Sequence, residues 1–234
     1  MRNPLLSCVA LALCLAACTP EPVDPAFDED AGQKLLVRYE AARTDGDWES
    51  AEYHAEELRR KHGETKAAAT MRATLAEVRE KAGADREVRR LRDLWTYQRF
   101  AVDGGTQVSA SLGSRVEHDP ESELPAPGPD ATLIFRRHPA WGDSAYLVLA
   151  QESLKCGPPC TLGIAFDDGD PQTFAGKPAD TGTGPALFIV DRGRFLEALR
   201  AAERVRIQLP ATAHLEPMFE FEVGGFDAER HLRD

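Results

Sequence analysis

Positive charge is in deficit. The chain has 28 lysines and arginines against 39 aspartates and glutamates, for a formal net charge of −11. Such a surface repels phosphates, which argues against nucleic-acid binding and against a polybasic membrane patch. Long apolar runs are also scarce. None after residue 17 approaches the length that spans a bilayer. The usual motifs of catalysis are missing. There is no Gly-x-Ser-x-Gly, no phosphate-cradling loop and no His-Glu-x-x-His. No cofactor and no metal is therefore expected. The six histidines are scattered, and His54 and His62 stand eight apart, off the i, i+4 spacing of a helical zinc pair. They read as surface residues.

Two acidic segments imitate known sites. Asp180-Thr181-Gly182 matches the core of the aspartic-protease signature. That chemistry needs two such aspartates sharing a proton, and this chain has one copy. Lys177-Pro178-Ala179 stand where apolar strand residues belong, so a glycine-rich turn is the better reading. Asp167-Asp168-Gly169-Asp170 fails the ligand order of a calcium loop. Asp168-Gly169 reads instead as a two-residue hairpin turn.

What the chain does have begins at its N-terminus. Met1-Arg2 is a short basic start, and an apolar stretch runs from Leu5 to Ala17. That stretch suits a signal-peptide core and is too short for a permanent span. It closes on Leu15-Ala16-Ala17-Cys18. The segment 1–18 resembles the lipobox of bacterial lipoprotein signals. The resemblance implies removal of residues 1–17 and lipidation of Cys18, which becomes the first mature residue. Two or three acyl chains hold a protein on a membrane, whereas one is marginal. Thr19 follows the cysteine. By the same resemblance, the lack of Asp there points to the outer membrane of a Gram-negative cell, facing the periplasm. An ordinary secretory signal cut near Ala17 is the alternative, and it leaves Cys18 free.

Five cysteines then sort themselves. Cys8 and Cys14 leave with the signal. Cys156 and Cys160 remain, in Cys156-Gly157-Pro158-Pro159-Cys160. An exported protein meets an oxidising compartment, so a disulfide is expected. So short a ring is worth about 2 kcal/mol in chain entropy. The thioredoxin family's Cys-Gly-Pro-Cys motif is close, but an extra proline spoils its spacing. A redox site also needs a helix starting at its first cysteine. Here Thr161-Leu162-Gly163-Ile164-Ala165-Phe166 alternates like a strand.

Residues 18–30, the lipidated cysteine followed by proline- and acid-rich chain, read as a disordered tether. Residues 31–94 read as a helical module. Leu35, Leu36 and Tyr39 share one face, and Asp45-Gly46-Asp47 breaks that helix and caps the next. Trp48, Ala51, Ala55 and Leu58 recur at three and four residues. Gly63 is placed as a C-terminal cap. Ala68, Met71, Leu75 and Val78 read as one further helix, stopped by Gly83, and Val88, Leu91, Leu94 and Trp95 as a last stripe. Gly46 to Leu58 resembles half of a tetratricopeptide repeat, but one unit cannot build a solenoid. A plain helical hairpin or bundle is the alternative.

Residues 95–227 read as β-structure. Candidate strands are 95–102, 106–117, 131–137, 144–151, 161–167, 171–175, 186–190, 203–209 and 217–223. One helix interrupts them at about 192–202, with Phe195, Leu196 and Leu199 as its apolar face. Residues 228–234 read as a tail. Ala131-Thr132-Leu133-Ile134, Phe166-Asp167-Asp168-Gly169, Leu187-Phe188-Ile189, Arg204-Val205-Arg206-Ile207 and Phe219-Glu220-Phe221-Glu222-Val223 resemble a C-terminal domain of exported Gram-negative proteins. That domain opens on a Trp and carries a close cysteine pair before its central strand. It is distantly similar to type VI secretion accessory proteins of the VasI kind. The resemblance carries no catalytic residue.

The expected fold is α+β: an N-terminal helical hairpin or bundle, then an antiparallel β-sandwich with one helix. The leading functional expectation is a membrane-anchored periplasmic lipoprotein. It would be a non-enzymatic interaction or envelope and secretion accessory component with an envelope protein partner. The alternative is a small-ligand or glycan-binding module in the β-domain, with exposed aromatics such as Trp141 as stacking platforms. A hydrolase whose residues meet only in three dimensions is a third expectation.

Overall fold

The computed structural model describes residues 25–115, 130–150, 156, 160–179, 185–210 and 217–232. The lipobox, Cys18 and most of the expected tether lie outside the described residues. The chain divides into two compact units, residues 1–82 and 83–234.

In the first unit, helix α1 (Pro25–Asp45) turns at Gly46, whose φ of 73° suits glycine, into helix α2 (Trp48–Lys61). Asp47 caps α2 by accepting the Ser50 amide at 3.0 Å. Helix α3 (Lys66–Arg72) is capped by Thr65, whose hydroxyl accepts the Ala68 amide at 3.1 Å. Leu36, Tyr39, Ala51, Ala55, Leu58, Ala68, Met71 and Val78 bury together. The alanines let the helices approach, and the Tyr39 hydroxyl shares a 2.7 Å hydrogen bond with Thr74.

Four expectations change here. The tether is shorter than expected, because α1 already begins at Pro25, a residue suited to a first helical turn. Glu29 then accepts the Lys66 and Ala67 amides at 2.9 and 3.2 Å, placing a carboxylate at the start of α3. The helix expected across Ala68 to Val78 is two. α3 ends at Arg72, and helix α4 (Leu75–Asp93) starts afresh. Gly83 does not stop α4. It costs about 1 kcal/mol against alanine, which the turns on either side absorb. Finally, His62 rather than Gly63 caps α2, bonding through its amide to the Leu58 carbonyl and through its ring to Asp28.

Among the described residues, the second unit takes the latter half of α4 and nine strands. These are β1 (Thr96–Val102), β2 (Gly105–Gly113), β3 (Ala131–His138), β4 (Gly142–Leu149), β5 (Cys160–Phe166), β6 (Gln172–Pro178), β7 (Ala186–Ile189), β8 (Arg204–Gln208) and β9 (Met218–Glu222). Helix α5 (Arg192–Arg200) lies between β7 and β8, and helix α6 (Ala228–Leu232) closes the described chain. All pairings are antiparallel, in the order β1-β2-β3-β4-β7-β6-β5-β8-β9. The fold is thus α+β with N-terminal helices and an antiparallel sheet.

The expected two facing sheets are not separated. Every strand joins one continuous, open ladder. Strand periodicity shows which residues point inward, not which strand is the neighbour, so it could not distinguish these cases. Beyond the ladder, the Arg115 amide donates to the Glu220 carbonyl at 2.7 Å, tying the end of β2 to β9. Inner-face residues such as Leu133, Phe135, Leu147, Ile164 and Phe221 meet α5, whose Phe195 stacks on Phe135 with centroids 5.8 Å apart.

The Asp168-Gly169 turn is wider than the expected two residues. Pairing of β5 with β6 stops at Ile164↔Gln172, while on its other edge β5 pairs with β8 as far as Phe166↔Val205. Asp167 bends the chain at a φ of 49°, and its carboxylate accepts the Glu203 and Arg204 amides, both at 2.9 Å. Nor is 228–234 a plain tail, since α6 inserts His231, 1% exposed, against Phe135 and Phe226.

Candidate functional site

Cys156 and Cys160 form a disulfide, with Cα atoms 5.3 Å apart and both residues buried. Cys160 opens strand β5 rather than a helix, so no helix N-terminus activates its sulfur. Asp180-Thr181-Gly182 lies outside the described residues. Asp168 is almost fully exposed and sits 3.5 Å from Arg204. No cluster of three or more metal-ligating side chains occurs among the described residues. The histidines are not all superficial. His138 is 9% exposed, and His231 is fully enclosed.

Trp141 is where the sequence singled it out, and its setting is specific. It stands in the turn between β3 and β4, 69% exposed. Gly142, at a φ of 70°, turns the chain back into β4. The Ala140 amide donates to His138 Nδ1 at 3.1 Å and so orients that ring. Trp141 lies on it, with centroids 3.8 Å apart and planes 14° from parallel. The indole is thereby held against a buried partner rather than left to swing.

Three side chains that the sequence did not single out continue this surface. Arg136 alternates with the buried Phe135 and Leu133, so it lies on the sheet's outer face. Its guanidinium carbon lies 5.1 Å from the Trp141 ring centre and 5.4 Å from that of Tyr146. Tyr146 pairs across strands with Phe188, their rings 5.1 Å apart. The only prior signal was β-period alternation. The meeting of these side chains depends on register, which alternation does not encode.

On the opposite face Arg137 pairs across strands with Asp143, at 3.6 Å. Arg192, at the start of α5, reaches the other oxygen of Asp143 at 2.6 Å. A cavity of about 330 Å³ lies beside Arg137, His138 and Asp143. A second, of about 240 Å³, is lined from both faces, by Asp143 and Arg192 on this one and by Ser144 and Phe188 on the other. Burial, followed by the charges of Arg137 and Arg192, holds the His231 pKa down at about 4. His231 is therefore neutral at physiological pH. Burial also raises the pKa of the Tyr97 hydroxyl, which accepts the Asp227 amide at 2.7 Å.

No family model and no curated protein matches the sequence. Among solved structures, the chain is similar to the crystal structure of invasion associated protein B from Bartonella henselae. The identity is 15% and the TM-score 0.37, over 56% of this chain and 85% of that one.

Proposed function

We propose that this chain is a membrane-anchored, non-enzymatic binding component of the bacterial envelope, acting as an accessory to envelope or secretion machinery. The lipid on Cys18 holds it at the outer membrane, facing the periplasm. Its binding surface is the outer face of the β-unit. The observation that carries this reading is Trp141: a large aromatic, 69% exposed yet stacked flat on His138. Leaving an indole in water forfeits hydrophobic stabilisation, and a partner that covers it recovers that free energy. Interaction sites concentrate such rigid aromatics.

The helical unit is the weaker candidate, because it uses Leu36, Tyr39, Leu58 and Met71 on its own core. The two surfaces are separable by photocrosslinking in intact cells. A benzoylphenylalanine at Val190, exposed beside the aromatic face, should capture envelope material. The same probe at Tyr53, exposed on α2, should not. Capture from Tyr53 alone moves the binding surface to the helical unit.

A further inference from the structure

We infer that the Trp141 face of the β-unit binds an acidic saccharide, a sugar chain bearing carboxylates, and that Arg136 reads its charge. This rests on the preceding assignment of that face as the binding surface.

The first observation is an uncompensated cation. Arg136 Nε is buried and has no hydrogen-bond partner among the described residues. Asp143 lies on the opposite face, engaged by Arg137 and Arg192. What holds the Arg136 guanidinium is the pair of rings, Trp141 and Tyr146. Ring contacts fix its position without neutralising its charge. A fixed, planar fork of donors suits a carboxylate, which it can take in a bidentate way.

The second observation is the apolar surface around that cation. Trp141 offers a flat indole, and Tyr146 and Phe188 continue the surface across β4 and β7. The C–H face of a pyranose is flat and apolar, so it gains by covering such rings. A cation and rings therefore share one face of a chain that is otherwise strongly acidic. Between them Ser144, opposite Arg136, keeps the surface low. The 240 Å³ cavity beside Ser144 and Phe188 is small for a drug-sized ligand, which takes upward of about 300 Å³. It suits one ring of a longer chain lying across the face.

A peptide fits less well. β3, β4 and β7 are interior strands with neighbours on both edges. They have no free ladder edge for strand addition, the mode that gives extended peptides most of their affinity. A saccharide needs side chains only.

The test titrates the full-length protein in detergent micelles with polygalacturonate, its fully methyl-esterified form and polyglutamate. Saturable binding of polygalacturonate is expected, at least about tenfold tighter than of the ester, as loss of a charge-assisted bond implies. Trp141→Ala and Arg136→Gln should each weaken it about tenfold or more, with an unchanged thermal midpoint. Trp141 stands in an exposed turn, so its variant keeps the test decisive if Arg136→Gln unfolds. The inference falls if polygalacturonate does not bind, if the ester binds as well, or if Trp141→Ala changes nothing. It also falls if polyglutamate binds equally, which would mean a simple charge site or a peptide. If Val190 captures envelope material while polygalacturonate fails to bind, the surface stands and the saccharide does not.

Discussion

Gly176 lies directly across from Cys160 in the β5–β6 ladder, so close that a Cβ at 176 would stand 2.5 Å from the Cys160 sulfur. The same Cβ would meet Leu162 Cγ at 3.3 Å. The disulfide thus occupies the space a side chain at 176 would need. Gly176→Ala should destabilise the protein by about 1–3 kcal/mol, the range for overpacking a core. A thermal or denaturant melt reads this. In a Cys156→Ala, Cys160→Ala background the added cost should shrink, because the obstructing sulfur is gone. An equal cost in both backgrounds would mean that the clash lies elsewhere.

The disulfide itself should contribute modestly. Cys156→Ala is expected to lower stability by about 2 kcal/mol, since the closed ring is short. Both cysteines are buried at the start of a strand, so the wild-type protein should not reduce insulin. Insulin reduction that disappears in the Cys156→Ala variant would make this pair a redox centre.

His231 should impose a pH dependence on folding. Its folded pKa of about 4 lies below the ordinary value of 6.5, so the unfolded chain binds its proton more readily. Stability from this group is complete above about pH 6.5 and is lost as pH falls toward 4. The loss amounts to at most about 3 kcal/mol. Carboxylates such as Glu56, held low by its bonds to Arg79 and Arg59, lose their contribution only below the ordinary carboxylate range. Urea midpoints between pH 6.5 and 5 therefore separate the histidine from the carboxylates. His231→Phe should flatten the slope in that window, and an unaltered slope would sink the assignment.

Much of this fold could be read from the residues. In β3, Ala131, Leu133 and Phe135 alternate with Thr132, Ile134 and Arg136, and the structure buries the first three. Comparable patterns located all nine strands and α5, because inner-face burial is what creates alternation. Pairing order was not legible, since β4 joins β7 and β5 joins β8 across long stretches of chain. The break between α3 and α4 carries neither glycine nor proline, and Gly83, which does look like a stop, lies within a helix. Trp141 was visible as a turn aromatic. Arg136 was not, because its significance comes from rings brought to it by register and by a turn. His231 was hidden for a similar reason, as its burial depends on Phe135 and Phe226 from distant segments.

The anchor has its own test. Cys18→Ser removes the thiol that the proposed anchor would lipidate. The variant should therefore accumulate as uncleaved precursor or as soluble protein. Fractionation of Cys18→Ser as a mature outer-membrane protein would refute the lipobox reading.

The last prediction concerns where the β-unit begins. The sequence places a border at Leu94 and Trp95, where helix gives way to strand. The compact unit instead starts at Gly83, inside α4. Gly224 and Gly225 show why the helical turns before Trp95 matter. A Cβ on Gly225 would overlap the Leu91 backbone, and one on Gly224 would touch the Leu91 side chain at 3.4 Å. Two glycines let the chain after β9 lie directly against α4. Arg90 adds a bridge, reaching the Glu222 carboxylate at 2.7 and 3.2 Å while bonded to Glu87 in its own helix. Removing residues 83–93 strips Leu91 from this contact and leaves Glu222 unpaired. The loss is about 1–2 kcal/mol, most of it from the leucine, since exposed ion pairs contribute little. A fragment of residues 83–234 should therefore fold alone with β-rich circular dichroism and melt several degrees above one of residues 94–234. Gly225→Ala in the longer fragment should erase most of that advantage by forcing α4 away. Equal melting of the two fragments would show that the end of α4 rests on the sheet without stabilising it.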